Sequence, residues 1–264
     1  AKTVVEGFKV GLHRSPYHGF SVEFSEHKAY MQGDPIKNID WKVFGKSDKL
    51  FIKQYEEETN LACNILLDIS ASMDYKHKGD LTKLEYAKIL AASLSYLMVT
   101  QQDSVGISLY SDKIESYYPP RSTKVYLQTL LKGLGNIVPN NKTETANCLN
   151  LIAEKINKRG LVIIISDFFD NVNEISKALK HFKYKKNEVI IFQILDPIEK
   201  SFAFEKDAIF LDKETNDEIT TQPHQIKNDY QLAMKDFLGK LKNACLNSKI
   251  EYNQIETTTP FDTA

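Results

Sequence analysis

From Leu61 onward two hydrophobic patterns alternate along the chain. Short, nearly unbroken apolar runs (Leu61 to Leu67, Leu161 to Ile165, Glu188 to Ile194) are separated by longer stretches whose apolar residues return every three or four positions. Unbroken runs of this length mark strands covered on both faces of a parallel sheet, and the three-to-four spacing marks helices with one buried stripe. Thr82-Lys83-Leu84-Glu85 is a capping box, opening a helix with Leu84, Ala87, Ala91, Leu94 and Met98 on one side. A second helix carries Leu149, Ile152, Ala153 and Ile156. A third, capped by Asn171 and Glu174, carries Ile175, Ala178, Leu179 and Phe182. Ser104 to Tyr110 reads as a further strand, with a short one near Ile114 to Tyr118 beside it. A hairpin-like piece around Ala208 to Leu211 precedes a long helix with Tyr230, Met234, Phe237, Leu241 and Cys245 inward, and Lys249 to Ile255 closes the chain as a strand. The alternation predicts an α/β fold, a doubly wound, mostly parallel sheet of Rossmann-like type with right-handed crossovers.

Residues before about Glu58 follow another pattern. Gly19 to Phe24 and Leu50 to Tyr55 partly alternate apolar and polar positions, glycines punctuate them, and Gly33-Asp34-Pro35 is a turn signal. The expected organisation is a small β-rich N-terminal extension (residues 1–60), a main α/β domain (61–200) and a C-terminal helix and strand completing that same unit (201–264). Ile39 and Trp41 flank Asp40. The expected arrangement has Trp41 packing the small layer onto the sheet while Asp34 and Asp40 brace turns; the alternative is that the three form a partner-contact surface.

The chemistry-bearing residues sit where strands end. The run Ile65-Leu66-Leu67 closes on Asp68, and Ser70 and Ser72 follow at alternate positions, so three oxygens can converge at one strand mouth. The run from Leu161 closes on Ser166-Asp167. Between the two lies the polar loop Asn140-Asn141-Lys142-Thr143-Glu144-Thr145, just before a helical pattern. Hard oxygen donors without sulfur or imidazole suit Mg2+ or Mn2+. Taken one at a time, each of these residues also fits a local turn or cap.

The order Asp68, Ser70, Ser72, Thr143, Asp167 resembles the metal-ion-dependent adhesion site of von Willebrand factor A domains, with Thr145 as a rival to Thr143. Tyr30-Met31-Gln32-Gly33-Asp34-Pro35-Ile36-Lys37-Asn38-Ile39-Asp40-Trp41 resembles the Y-x-x-G-D-x-x-R-x-I-D-W signature of the bacterial domain-of-unknown-function family fifty-eight, with Lys37 where arginine is usual. Asp196-Pro197-Ile198-Glu199 is similar to that family's D-P-x-E turn. The resemblance implies a non-enzymatic module that binds Mg2+ (or Mn2+) and docks a partner protein's carboxylate on the ion. It further implies a MoxR-type AAA+ ATPase as partner, with this chain its adaptor in the assembly or maturation of another complex.

Composition narrows the alternatives. A net charge of -1 provides no global field toward nucleic acid or anionic lipid. The short basic cluster Lys183-Tyr184-Lys185-Lys186 reads as a solvated helix end. Cys63, Cys148 and Cys245 form no C-x-x-C pair and read as apolar fillers in a reducing compartment, hence a cytoplasmic protein. No apolar stretch approaches the ~18 residues of a membrane span. A metal-dependent phosphoester hydrolase is the rival class, but a dehalogenase-type phosphatase needs a second carboxylate two residues after its nucleophile, where Ser70 stands. Gly45-Lys46-Ser47 lacks the first glycine of a phosphate loop, its place taken by Asp40. Gly133-Leu134-Gly135 lacks the third glycine of a dinucleotide fingerprint. His77, between two lysines, reads as a surface residue. A scaffold with a vestigial site is the second alternative.

Overall fold

The computed structural model describes residues 21–32, 34, 36, 39–58, 61–77, 79–139, 144–204, 208–211 and 218–261. The chain divides into two compact units at Leu61 and Ala62. In the first, β1 (Ser21–Ala29) pairs antiparallel with β2 (Phe51–Glu58), and a short helix α1 (Trp41–Ser47) lies between them in sequence. Asp40 caps α1: its Oδ1 accepts from the amides of Lys42 at 2.9 Å and Val43 at 3.2 Å. Asp34 accepts from the Met31 amide at 3.0 Å, so both carboxylates brace local backbone as expected. Trp41 is the first residue of α1. It is 59% exposed, and its ring meets that of Phe44, one helical turn on, edge-to-face at 6.0 Å.

The second unit is built on six strands: β3 (Ala62–Asp68), β4 (Ser104–Tyr110), β5 (Ile114–Arg121), β6 (Leu161–Ser166), β7 (Glu188–Leu195) and β10 (Glu251–Glu256). Their spatial order is β10-β7-β6-β3-β4-β5, parallel throughout except for the antiparallel edge strand β5. Numbered by sequence within the sheet, that is the doubly wound order 3-2-1-4-5-6, whose direction of winding reverses between β3 and β6. Strands β8 (Ala208–Leu211) and β9 (Glu218–Thr221) form the separate hairpin near the expected place.

The helices are α2 (Lys83–Thr100), α3 (Lys124–Gly135), α4 (Thr145–Lys155), α5 (Val172–Tyr184), α6 (Pro197–Ser201) and α7 (Pro223–Asn247). The capping box of α2 forms as read: Thr82 Oγ1 accepts from the Glu85 amide at 3.1 Å and Glu85 accepts from the Thr82 amide at 2.8 Å. Burial on α2 is wider than one stripe, taking in Tyr86, Leu90, Ser93, Ser95, Leu97 and Val99, while Leu94 is only half-buried. Helix α3 was not foreseen. Only Leu127, Leu130 and Leu134 of it are buried, and its two glycines disguise the pattern. The three cysteines are buried and free. Of the basic cluster, Lys185 is not merely solvated: its ammonium donates to the carbonyls of Ala153 (2.7 Å), Glu154 (3.1 Å) and Ile156 (3.2 Å), neutralising the negative end of α4.

Strand β5 approaches β4 closely at Gly106, where a Cβ would lie 2.5 Å from the Tyr118 carbonyl oxygen and 2.7 Å from Pro120 N. Backbone cannot yield there without opening the edge of the sheet. Gly106→Ala should therefore lower unfolding stability by about 1–3 kcal/mol, read from denaturant midpoints, and loss of less than a few tenths would show that β5 yields freely.

Candidate functional site

The register of β3 against β6 decides where the strand-end carboxylates lie. Leu67 stands opposite Ile165, so Asp68 and Ser166–Asp167 leave the sheet side by side at its carboxyl edge. That point is the switch between the two halves of the sheet, where ligands of doubly wound folds bind. Asp68 is fully buried. Its Oδ1 accepts from the Ser70 amide at 2.9 Å and its Oδ2 from the Ser166 hydroxyl at 2.7 Å. Ser166 Oγ in turn accepts from the Phe168 amide at 2.9 Å.

After Asp68 the backbone turns through Ile69, whose amide donates to the Tyr110 carbonyl at 2.8 Å, into a single 3-10 turn over Ala71–Asp74. This turn brings Ser70 Oγ and Ser72 Oγ to 3.0 Å from one another. Asp167, also fully buried, accepts from the Phe169 amide at 3.2 Å through Oδ1, and its carbonyl accepts from Gln193 Nε2 at 2.8 Å. Phe168, next in sequence, is held at a φ of 59°, a left-handed conformation costly for a bulky residue.

Four of the five residues singled out from sequence, Asp68, Ser70, Ser72 and Asp167, thus share one rim. Thr143 lies outside the described residues. Its rival Thr145 is the first residue of α4 and fully buried, and its hydroxyl has no hydrogen-bond partner. The start of α4 reaches the same rim, since the Glu144 amide donates to the Ser111 carbonyl at 3.2 Å, just past β4. The Tyr110 hydroxyl is likewise buried and unpartnered, and burial and the charge of Asp68 push its pKa well above the ordinary tyrosine value.

Sequence reasoning missed three participants. Ser166 looked like the tail of an apolar run. Lys83 looked like one more polar residue in a capping box, yet its side chain is wholly buried and its Nζ lies 2.7 Å from Asp167 Oδ2 and 2.7 Å from Glu199 Oε1. Glu199, 16% exposed, belongs to the D-P-x-E segment, which forms the short capped helix α6 rather than a plain turn. Asp196 caps that helix at Ile198 N (2.9 Å), Glu199 Oε2 accepts from Asp196 N (2.8 Å), and Asp196 Oδ2 accepts from His77 N at 2.9 Å. The His77 ring is exposed as expected and packs edge-on against Phe204 at 5.3 Å.

Charge at the rim is unbalanced. Burial works against the Lys83 ammonium, but Asp167 and Glu199 outweigh it and hold its pKa above the ordinary lysine value. Burial raises the Glu199 pKa against the pull of Lys83. Among the described residues no ion pair reaches Asp68, and burial followed by repulsion from Asp167 pushes its pKa up to about 7. No group of three or more histidine, cysteine, aspartate or glutamate side chains among the described residues could by itself hold a metal ion, so a cation here would depend on hydroxyls.

A family model described as "Protein of unknown function DUF58" matches residues 26–237, most of the chain. The chain belongs to the DUF58 family. This DUF58 protein is 23% identical over 217 residues to the uncharacterized protein Rv1480 of Mycobacterium tuberculosis, covering 81% of this chain and 68% of that one, and equally to Mb1516 of Mycobacterium bovis. Among solved structures it resembles the conserved hypothetical protein BatB from Bacteroides thetaiotaomicron, with a TM-score of 0.52 and 20% identity over 74% of this chain and 90% of that one. An aerotolerance-related membrane protein from Bacteroides fragilis gives a TM-score of 0.54 at 18% identity, over 77% and 94%. These likenesses support the doubly wound α/β fold. No helix among the described residues of this DUF58 chain is long and apolar enough to cross a membrane.

The raised Asp68 pKa has a testable sign. Asp68 in the unfolded chain ionises near 3.8, and in the folded chain near 7, so between those values the unfolded chain binds fewer protons. With chelator present, stability should fall as pH rises from about 4 to about 7, and Asp68→Asn should flatten that part of the curve. Denaturant titrations at both ends of the window measure it, and an identical slope in the variant would contradict the assignment.

Proposed function

We propose that the rim of this DUF58 protein holds a divalent cation, Mg2+ or Mn2+, and docks a carboxylate of a partner protein on that ion. The observation that carries the reading is the convergence of Asp68, Asp167 and the paired Ser70 and Ser72 hydroxyls at the switch point of the sheet. The excess of buried negative charge there supports it, as does the unpartnered Thr145 hydroxyl, since both are costly without a cation or other polar ligand. Ser70 and Ser72 would hold the ion through their hydroxyls, Asp68 and Asp167 directly or through water, and one threonine of the pair Thr143 and Thr145 would complete the set. A cation with so few anionic ligands keeps residual positive charge and exchangeable water, which an incoming carboxylate replaces.

The partner we infer is a MoxR-type AAA+ ATPase, with this chain as its adaptor toward a client complex. This step rests on the resemblance of the Tyr30–Trp41 signature and the Asp196–Glu199 segment. Docking is favoured over hydrolysis because the position that must shuttle a proton is Ser70, whose hydroxyl faces that of Ser72.

Mg2+ or Mn2+ should raise the melting temperature, with stabilisation of about 2.7 kcal/mol once the ion exceeds its Kd a hundredfold. Asp68→Ala and Ser72→Ala should abolish the shift, and chelator should release a co-purified ATPase. A melting curve unmoved by millimolar concentrations of either ion would overturn the metal reading, whereas a shifted curve together with metal-dependent phosphoester turnover lost in Asp68→Ala would replace docking with hydrolysis.

A further inference from the structure

Lys83 breaks two local rules. It opens α2, where the helix dipole disfavours a positive charge, and its side chain is completely buried, where an ammonium is costly. The surroundings show what keeps it there. Its Nζ sits between Asp167 Oδ2 and Glu199 Oε1, each at 2.7 Å, with the Phe169 ring 5.0 Å and the Tyr75 ring 5.9 Å away. The ammonium therefore occupies one side of a carboxylate that the metal reading needs. Glu199 is itself anchored: its second oxygen holds the Asp196 amide, and its carbonyl accepts from the Tyr230 hydroxyl of α7 at 2.7 Å.

We propose that Lys83 is a positioning residue of the rim site, a tethered cation that shares Asp167 with the divalent ion and is itself shared between Asp167 and Glu199. The inference rests on the metal reading above and adds to it a balance among three groups. The ammonium neutralises Asp167 and repels a second cation, keeping the divalent ion weakly held and exchangeable. Glu199 draws the ammonium outward and moderates that repulsion. Binding of the ion at Asp167 loosens the Lys83 contact there and strengthens the one to Glu199, so occupancy is felt at the Asp196–Glu199 helix and at the His77 backbone attached to it.

Two substitutions separate this role from simple stapling of β6 to α6. Lys83→Met removes the competing charge while keeping much of the side-chain volume, and Glu199→Gln leaves the ammonium wholly to Asp167. A tethered competitor predicts opposite effects on Mn2+ affinity of the full chain, measured by calorimetry and by the signal of free Mn2+. Lys83→Met should bind about tenfold tighter or more, Glu199→Gln should bind more weakly, and Lys83→Arg should stay near the parent protein. A staple predicts the same direction for the first two, because both loosen the rim. If the parent protein binds Mn2+ and the two variants shift together or not at all, the positioning role is overturned and the metal site stands. If neither the parent nor any variant binds the ion, both readings fall. Binding by Lys83→Met alone would show the ammonium excluding the ion and supports the proposal. Should Lys83→Met not fold, Glu199→Gln decides against the parent: weaker binding supports the balance, and equal or tighter binding overturns it.

Discussion

Two carboxylates buried at the ends of neighbouring strands repel each other, and the rim of this sheet is arranged around that repulsion. Asp68 and Asp167 are both inaccessible to water and both sit at the carboxyl edge of the β3–β6 pair. Solvent cannot relieve the charge, so the protein supplies donors. The Ser70 amide and Ser166 hydroxyl serve Asp68, while the Phe169 amide and Lys83 serve Asp167. One ammonium against Asp68, Asp167 and Glu199 leaves the cluster short of positive charge. Structures rarely keep such a deficit for stability alone, because an apolar rim of the same shape would cost less.

The parallel sheet makes the juxtaposition unavoidable. Residues 98 apart in sequence, Asp68 and Ser166, meet because β3 and β6 run side by side with one register, and that register is pinned by strands buried on both faces. A slip of one residue would part the Asp68 carboxylate from the Ser166 hydroxyl across the two strands. The left-handed Phe168 belongs to the same constraint. Its amide must reach Ser166 Oγ while Asp167 keeps its carboxylate at Lys83, and that double demand holds a bulky residue where glycine would rest more easily.

What the sequence revealed and what it hid follow from range. Asp68, Ser70, Ser72 and Asp167 were legible because each closes or follows an unbroken apolar run, and the strand end and sheet type then place them by rule. The capping box of α2 was legible because it is local. Lys83 was hidden inside that same box: nothing within four residues distinguishes a lysine reaching solvent from one reaching Asp167, 84 residues away. Glu199 was visible as part of a D-P-x-E segment, but its link to Lys83 spans 116 residues. Helix α3 escaped because Gly133 and Gly135 weaken its last turn, and its three buried leucines are too few to stand out among exposed neighbours.

The same charge balance links the chemistry of the rim to the surface beside it. The Asp196–Glu199 helix is short, and its geometry depends on caps rather than on length: Asp196 and Glu199 each hold an amide at its start. Both carboxylates also have a second task, Asp196 at the His77 amide and Glu199 at Lys83. A change in where the ammonium sits therefore alters the acceptor that fixes the helix start, and with it the loop that carries His77. In a fold whose core is close-packed, such a capped turn is among the few elements able to shift without opening the sheet. An ion bound at the strand ends, as proposed, would need no long pathway to reach the Asp196–Glu199 helix. Lys83 lies between Asp167 and that helix and touches both.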